Sequence, residues 1–262
     1  MLLENKNAVI YGAGGSIGGA VARTFAREGA RVFLTGRTRE KLDKVAGEIA
    51  AAGGSADVAV VDALDEQAVD EHARDMVATA GTIDVSLNLV TRGDVQGIPL
   101  VDMTTADFIR PITTGITTNF ITARAAARHM VEQGSGVILA LDSGSAVGSP
   151  MMGGTGPADA ATDLLVRNLA AEVGPRGVRV VGLWTAGIPE TLSPEKLAAV
   201  NSDLQLDEAA FQGLLDQLAQ MRMLHRSPRL TEVAATAAFL ASDQAGAITG
   251  TFVNVTSGMF PS

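Results

Sequence analysis

The stretch VIYGAGGSIGGAVARTFAREGARVFLTGR sets Gly12, Gly14, Gly15 and Gly18 between an apolar run ending at Tyr11 and a helical pattern opening near residue 16. Glycine permits the tight turn and close backbone approach that a diphosphate requires. The helix behind it offers unpaired N–H groups and the positive end of a dipole. With Ser16 and Ile17 completing the loop, this is a phosphate cradle for a dinucleotide. At the end of the second apolar run, an NAD site wants Asp or Glu to accept from the ribose. Here stand Gly36, Arg37 and Arg39, with no carboxylate before Glu40. A guanidinium at Arg37 would pair with a 2′-phosphate, so NADP(H) is expected in preference to NAD(H). Arg39 is expected to face solvent on the next helix. Asp62, followed by Ala63, closes the third apolar run, where a carboxylate can accept from an adenine amino group; Asp62 equally suits the first turn of the following helix.

Other chemistry is sparse. Without cysteine there is no disulfide, thiolate nucleophile or Cys-based metal site, and no His/Asp/Glu cluster has metal-ligand spacing, so no metal is expected. His72 and His129 are expected to be solvated on polar helix faces, and His225, in MLHRSP, to be an ordinary exposed histidine. Trp184 and Met151–Met152 read as apolar pocket wall or as core. A net charge of −9 disfavours nucleic acid and anionic membrane as partners. No apolar run reaches the ~20 residues a spanning helix needs. The opening MLLENKNAVIYG enters a strand at once, with Glu4 where a signal peptide would be basic. A soluble, cytoplasmic protein is expected.

The elements that must position these residues alternate strand and helix. Apolar runs at 7–12, 30–36, 56–63, 82–90, 136–143, 178–184 and 250–256 read as strands buried on both faces. Helical patterns lie at about 16–28, 38–51, 66–80, 105–132, 158–173 and 231–241. The expectation is one α/β domain over 1–262, with a doubly wound seven-stranded parallel sheet and helices on both faces. Residues 187–228 break the rhythm with Pro189, Pro194 and the amphipathic DEAAFQGLLDQLAQM, and read as a lid or substrate loop.

Several segments carry a resemblance over essentially the whole chain. YGAGGSIGG resembles the Thr-Gly-x3-Gly-x-Gly of the short-chain dehydrogenase/reductase family, with Ser16 in place of the middle glycine. DVSLNLVT is similar to the family's segment ending Asn-Asn-Ala-Gly, with only Asn88 kept. GVILALDSGSAVG looks like the strand carrying the active-site serine, here Ser143. GPRGVRVVGLWTAGIPET looks like the strand entering the nicotinamide loop, which puts Ile188 and Thr191 at the carboxamide. RLTEVAATAAFLASDQAGAITGTFVNVTSG resembles the last helix, turn and strand. The resemblance implies a Rossmann fold, an NAD(P)(H)-dependent oxidoreductase acting on a small molecule, and a homodimer or homotetramer packed through the helices 105–132 and 158–173.

It also implies a four-residue site of Asn, Ser, Tyr and Lys, which this chain does not reproduce. Gly115 falls at the Asn position, with Asn119 one helical turn on as a partial substitute. Ser143 is retained. Anchoring on RNLAAEVG puts Thr155 at Tyr and Asp159 at Lys. The only tyrosine is Tyr11, and no lysine occurs between Lys44 and Lys196. In the family a phenol with reference pKa about 10 is drawn toward neutrality by the ammonium. Such positioned acid–base groups contribute about 10²–10⁴-fold. A threonine is too weak an acid to replace it, and a carboxylate at 159 opposes ionisation of its neighbours. Reaching the nicotinamide ribose, Asp159 would accept from its hydroxyls and favour the oxidised coenzyme; GPADAATD reads equally as a helix start with Asp in its first turn. Three functions stay open: a hydride-transfer enzyme assisted by Ser143, water or the substrate (carbonyl, imine or enone); a lyase, isomerase or cyclase; and a non-catalytic nucleotide-binding protein. If only the acid is missing, Thr155→Tyr with Asp159→Lys is expected to bring back trace carbonyl reduction.

Overall fold

Strands that are apolar on both sides demand cover on both faces of their sheet, and the computed structural model, which describes residues 1–201 and 205–260, supplies it. Seven strands pair in parallel: β1 (Asn7–Tyr11), β2 (Arg31–Gly36), β3 (Ser55–Val60), β4 (Val85–Asn88), β5 (Gly136–Asp142), β6 (Val178–Trp184) and β7 (Thr251–Asn254). Their order is β3-β2-β1-β4-β5-β6-β7. Successive side chains alternate between faces. Ala8, Ile10, Val32, Leu34, Leu87, Leu139 and Val181 therefore pack under α1 (Ser16–Arg27), α2 (Arg39–Ala51) and α8 (Leu230–Ala241). Val9, Tyr11, Phe33, Ile138, Ala140 and Val180 pack under α3 (Glu66–Ala80), α4 (Thr105–Gln133) and α5 (Thr155–Val173). This is the expected doubly wound Rossmann sheet.

Two boundaries move for local reasons. β4 is shorter than the apolar run 82–90 because Thr82 and Asp84 spend their side chains on Asn7, and Asn88 turns its amide to α4. α5 begins at Thr155 rather than 158, after a turn in which the Thr155 N–H donates to the Met152 carbonyl at 3.0 Å. The insertion carries α6 (Pro194–Val200), capped by Ser193, and α7 (Glu208–Gln220), capped by Asp207, which is the amphipathic stretch read from sequence. Residues 202–204 of the expected 187–228 lid lie outside the described residues.

The strand order reverses between β1 and β4. Connections leave these neighbours in opposite directions, so their carboxyl ends open a crevice, the usual ligand position in such sheets.

Candidate active site

The glycine loop forms one wall of that crevice. Gly12 sits at φ +79, and a Cβ there would stand 2.5 Å from the Leu89 carbonyl oxygen; a Cβ at Gly18 would collide with the Gly12 carbonyl. Both glycines are therefore demanded by close packing of β1, α1 and the segment after β4. The structure brings Gly12, Gly14, Gly15, Arg37, Asp62 and Ala63 together along one cleft, with Lys41, which sequence reading missed, beside them. Arg39 pairs with Asp43 one turn along α2 and faces solvent. Asp62 accepts the Leu64 N–H at 3.1 Å, while the cap of α3 is Asp65. Ile17 packs against the core. Asn88 donates to Thr118 and Asn119 and accepts from the Val90 N–H, so it braces α4 and the β4 loop. Ile188 is buried, and its carbonyl accepts from both the N–H and the hydroxyl of Thr191.

Past this cradle lies a network organised by Asp159, which is 0% exposed. A left-handed turn at Gly144 (φ +75) bends the chain after β5 so that backbone donors converge on α5. Asp159 Oδ2 accepts the Ser143 N–H at 3.2 Å, the Ser143 hydroxyl at 2.5 Å and the Ser145 N–H at 3.0 Å. Its Oδ1 accepts Arg92 Nη1 at 2.6 Å. Four donors occupy this carboxylate, and α5 opens at Thr155 with no acidic residue in its first turn, so the alternative of a first-turn aspartate does not hold: Asp159 joins α5 to the segments after β4 and β5.

Arg92 is the residue that sequence reading did not find. It leaves the loop after β4, and its Nη2 also reaches Asp94 at 3.3 Å. Burial acts to lower its pKa, but the charges of Asp94, Asp159 and Asp142 outweigh this and raise it. A Cβ on residue 115 would stand 2.7 Å from Arg92 Cδ, so Gly115 leaves the room this side chain fills. A positive charge thus does lie beside residue 159, delivered from a loop rather than from α5. The available signal was joint: a carboxylate at 159 and a missing side chain at 115 together call for a cation from elsewhere.

Thr155 is 1% exposed, donates to Asp94 Oδ1 at 2.8 Å and accepts from Gln96 Nε2 at 3.1 Å. Asn119 does not join this cluster; it accepts from Asn88 and turns toward Thr162. Ser143, half-buried, shares a 2.6 Å contact with the Ser145 hydroxyl. Beneath the network, Asp142 accepts the Gly144 N–H on Oδ1, while Oδ2 faces no donor. Burial, then the neighbouring charge of Asp159, pushes its pKa up to about 9. A proton retained there gives Oδ2 its partner by donating to Asp163, which also accepts from the Trp184 indole at 3.4 Å. Trp184 is therefore core. Burial pushes the Tyr11 phenol up, away from any acid role. His72 corrects the solvated reading: it is half-buried, edge-on to Tyr11 at 6.5 Å, with its pKa lowered by burial. His129 is half-buried too, and His225 is exposed.

The loop after β6 is held by an unexpected clamp. Arg222, 1% exposed, donates to the carbonyls of Leu218 (3.0 Å), Thr256 (2.5 Å), Ala186 (2.8 Å) and Gly187 (3.3 Å). No carboxylate among the described residues pairs with it, and burial lowers its pKa.

A family model described as enoyl-(acyl carrier protein) reductase matches residues 12–260. L-rhamnose 1-dehydrogenase (NAD(P)(+)) of Azotobacter vinelandii is 33% identical over 99% of this chain and 98% of its own. An NAD+-bound xylitol dehydrogenase structure superposes with a TM-score of 0.88 at 25% identity, covering 98% of this chain and 100% of that one. Gluconate 5-dehydrogenase from Burkholderia cenocepacia, in complex with NADP and tartrate, gives 0.84 at 26% identity, covering 98% and 96%. Among the described residues no helix is long and apolar enough to cross a membrane, and no group of three His, Asp or Glu could hold a metal.

Proposed function

This chain belongs to the short-chain dehydrogenase/reductase family of oxidoreductases, and from that membership we propose that it is an NADP(H)-dependent enzyme acting on a small organic carbonyl, imine or enone through a rearranged active site. The observation that carries the coenzyme preference is the pair Arg37 and Lys41 on the wall of the glycine cleft, with no carboxylate between β2 and α2. Two cations there suit a 2′-phosphate and leave the ribose hydroxyl of NAD without its usual acceptor. Gly12, Gly14 and Gly15 would hold the diphosphate, Asp62 and Ala63 the adenine, and Ile188 and Thr191 the nicotinamide side.

The bound coenzyme supplies or takes hydride. The protein's part differs from the family pattern. Ser143 is held by Asp159 and Ser145, so it is a positioned hydroxyl rather than a mobile one. Arg92 ties the two carboxylates of Asp94 and Asp159 into one ionic group that fixes the floor. Thr155, with its proton given to Asp94, is no general acid. Substrates that bring their own polarisation, such as imines and conjugated enones, need the least from such a site. The same burial favours the second reading, a fold partner that binds nucleotide without turning it over: Thr155 and Asp159 are 1% and 0% exposed and spend their hydrogen bonds on Asp94, Gln96, Arg92, Ser143 and Ser145. Fluorescence titration with NADPH and NADH tests the coenzyme. Absorbance at 340 nm with a carbonyl, imine and enone panel then separates the readings. NADPH binding with turnover of an activated acceptor supports the enzyme; binding with no consumption by any member overturns it.

Assembly as a homodimer or homotetramer through α4 and α5 is supported by the groove between them. Phe120 (48% exposed), Leu165 and Leu169 line it, apolar surface that a twofold partner would cover.

A further inference from the structure

Ser16, the residue that stands where the family has its middle glycine, has a partner far along the chain. The Lys196 ammonium, on α6 of the insertion, donates to the Ser16 hydroxyl at 3.2 Å and to the Thr191 carbonyl at 2.9 Å. Ser16 is the first residue of α1, a helix whose cap, Gly15, offers no side chain and whose first turn holds no acidic residue. Among the described residues Lys196 belongs to no ion pair. A cation resting at the positive end of a helix dipole is electrostatically misplaced, unless an anion comes to lie between them. The proposed coenzyme brings one to this spot, since its diphosphate must lie over the turn from Gly12 to Ser16.

We infer that Lys196 is the diphosphate ligand of the lid. Its ammonium passes from Ser16 to the coenzyme and fastens α6 over the bound nucleotide. This inference rests on the coenzyme reading above. Ser16 then serves as the waiting acceptor, which gives a physical use for a hydroxyl where the family keeps hydrogen. Thr191, tied to both Ile188 and Lys196, carries the closure to the loop beside the nicotinamide.

The test compares wild type, Lys196→Met and Ser16→Gly/Lys196→Met with Ser16→Gly. Calorimetric titrations use NADPH and adenosine 2′-monophosphate, which keeps the adenine end and lacks the diphosphate. Lys196→Met should weaken NADPH about tenfold, flatten its salt dependence, and leave adenosine 2′-monophosphate unchanged. NADPH should protect α6 and α7 from chymotrypsin, whose Leu and Phe sites there are untouched by the substitution, in wild type and not in Lys196→Met. The Lys196→Met penalty should persist in the Ser16→Gly background, because the lysine acts on the nucleotide and not through the serine. Unchanged NADPH affinity in Lys196→Met, an equal loss for both ligands, or a penalty that vanishes with Ser16→Gly each overturns the inference while the coenzyme reading stands. Absence of NADPH binding in wild type overturns both.

Discussion

Removing the charge of Asp159 without changing its shape puts the rearranged site to a quantitative test. In Asp159→Asn the amide keeps one acceptor, but its NH₂ must face either Arg92 Nη1 or the backbone N–H groups of Ser143 and Ser145, none of which accepts, and only the Ser143 hydroxyl could turn to receive it. Breaking a buried ion pair from one side costs about 3–5 kcal/mol, since the other charge stays buried and unpaired. At this chain length each kcal/mol moves the melting temperature by about 2–4 °C, so a fall of roughly 6–20 °C follows. Arg92→Met should cost a similar amount, and the double variant clearly less than the sum, with a coupling of about 2 kcal/mol or more. Urea unfolding followed by Trp184 fluorescence reads all three, because the sole tryptophan donates to Asp163 one helical turn from Asp159. Gly115→Asn adds a steric arm: it should be strongly destabilising beside Arg92 and tolerated with Arg92→Gly. An Asp159→Asn melting point within about 2 °C of wild type, or Gly115→Asn equally harmful in both backgrounds, would refute the reasoning. The same geometry revises the two-residue restoration. Thr155→Tyr with Asp159→Lys would set an ammonium against the Arg92 guanidinium, so it should fail to fold well; adding Arg92→Gly and Gly115→Asn is required.

Other expectations concern coenzyme choice, pH and the loop clamp. Arg37→Ala/Lys41→Ala should weaken NADPH roughly 10- to 100-fold with NADH unchanged; an equal loss for both coenzymes would place these residues elsewhere than at the 2′-phosphate. The proton on Asp142 stabilises the fold fully below the unfolded value near 3.8, and that contribution is lost as pH rises toward about 9. Asp142→Asn, whose amide can donate to Asp163 as the protonated acid does, should flatten stability between pH 5 and 9; an unaltered slope in urea titrations would contradict the shared proton. Arg222→Met strands the buried carbonyl of Thr256 and the part-buried ones of Leu218, Ala186 and Gly187, and should cost about 3 kcal/mol. Arg222→Lys should recover little, as an ammonium cannot span that fork; a urea midpoint equal to wild type in either variant would count against the clamp.

The sheet was legible because a strand covered on both faces is apolar along its length, as in Val180–Trp184, whatever its partners. The glycine loop was legible because Gly12 and Gly18 answer to backbone contacts within one strand–helix turn. Arg92, Lys41, Lys196 and Arg222 were not. Each lies in a stretch without periodic pattern or on an exposed helix face, and its meaning comes from partners remote in sequence: Asp159 is 67 positions from Arg92, and Ser16 is 180 from Lys196. Long flexible cations reach across such gaps, and nothing in local spacing records where they end. Thr155 and Asp159 were found at their positions, but their roles were not, because a carboxylate's behaviour depends on who donates to it.

Arg222 gathers three stretches of chain onto a single planar group that meets no opposing charge among the described residues. Mechanical independence is thereby denied to the segment around Thr256. Whatever tugs or tethers that segment will be felt at the turn before Ile188, since one guanidinium carries load between the two.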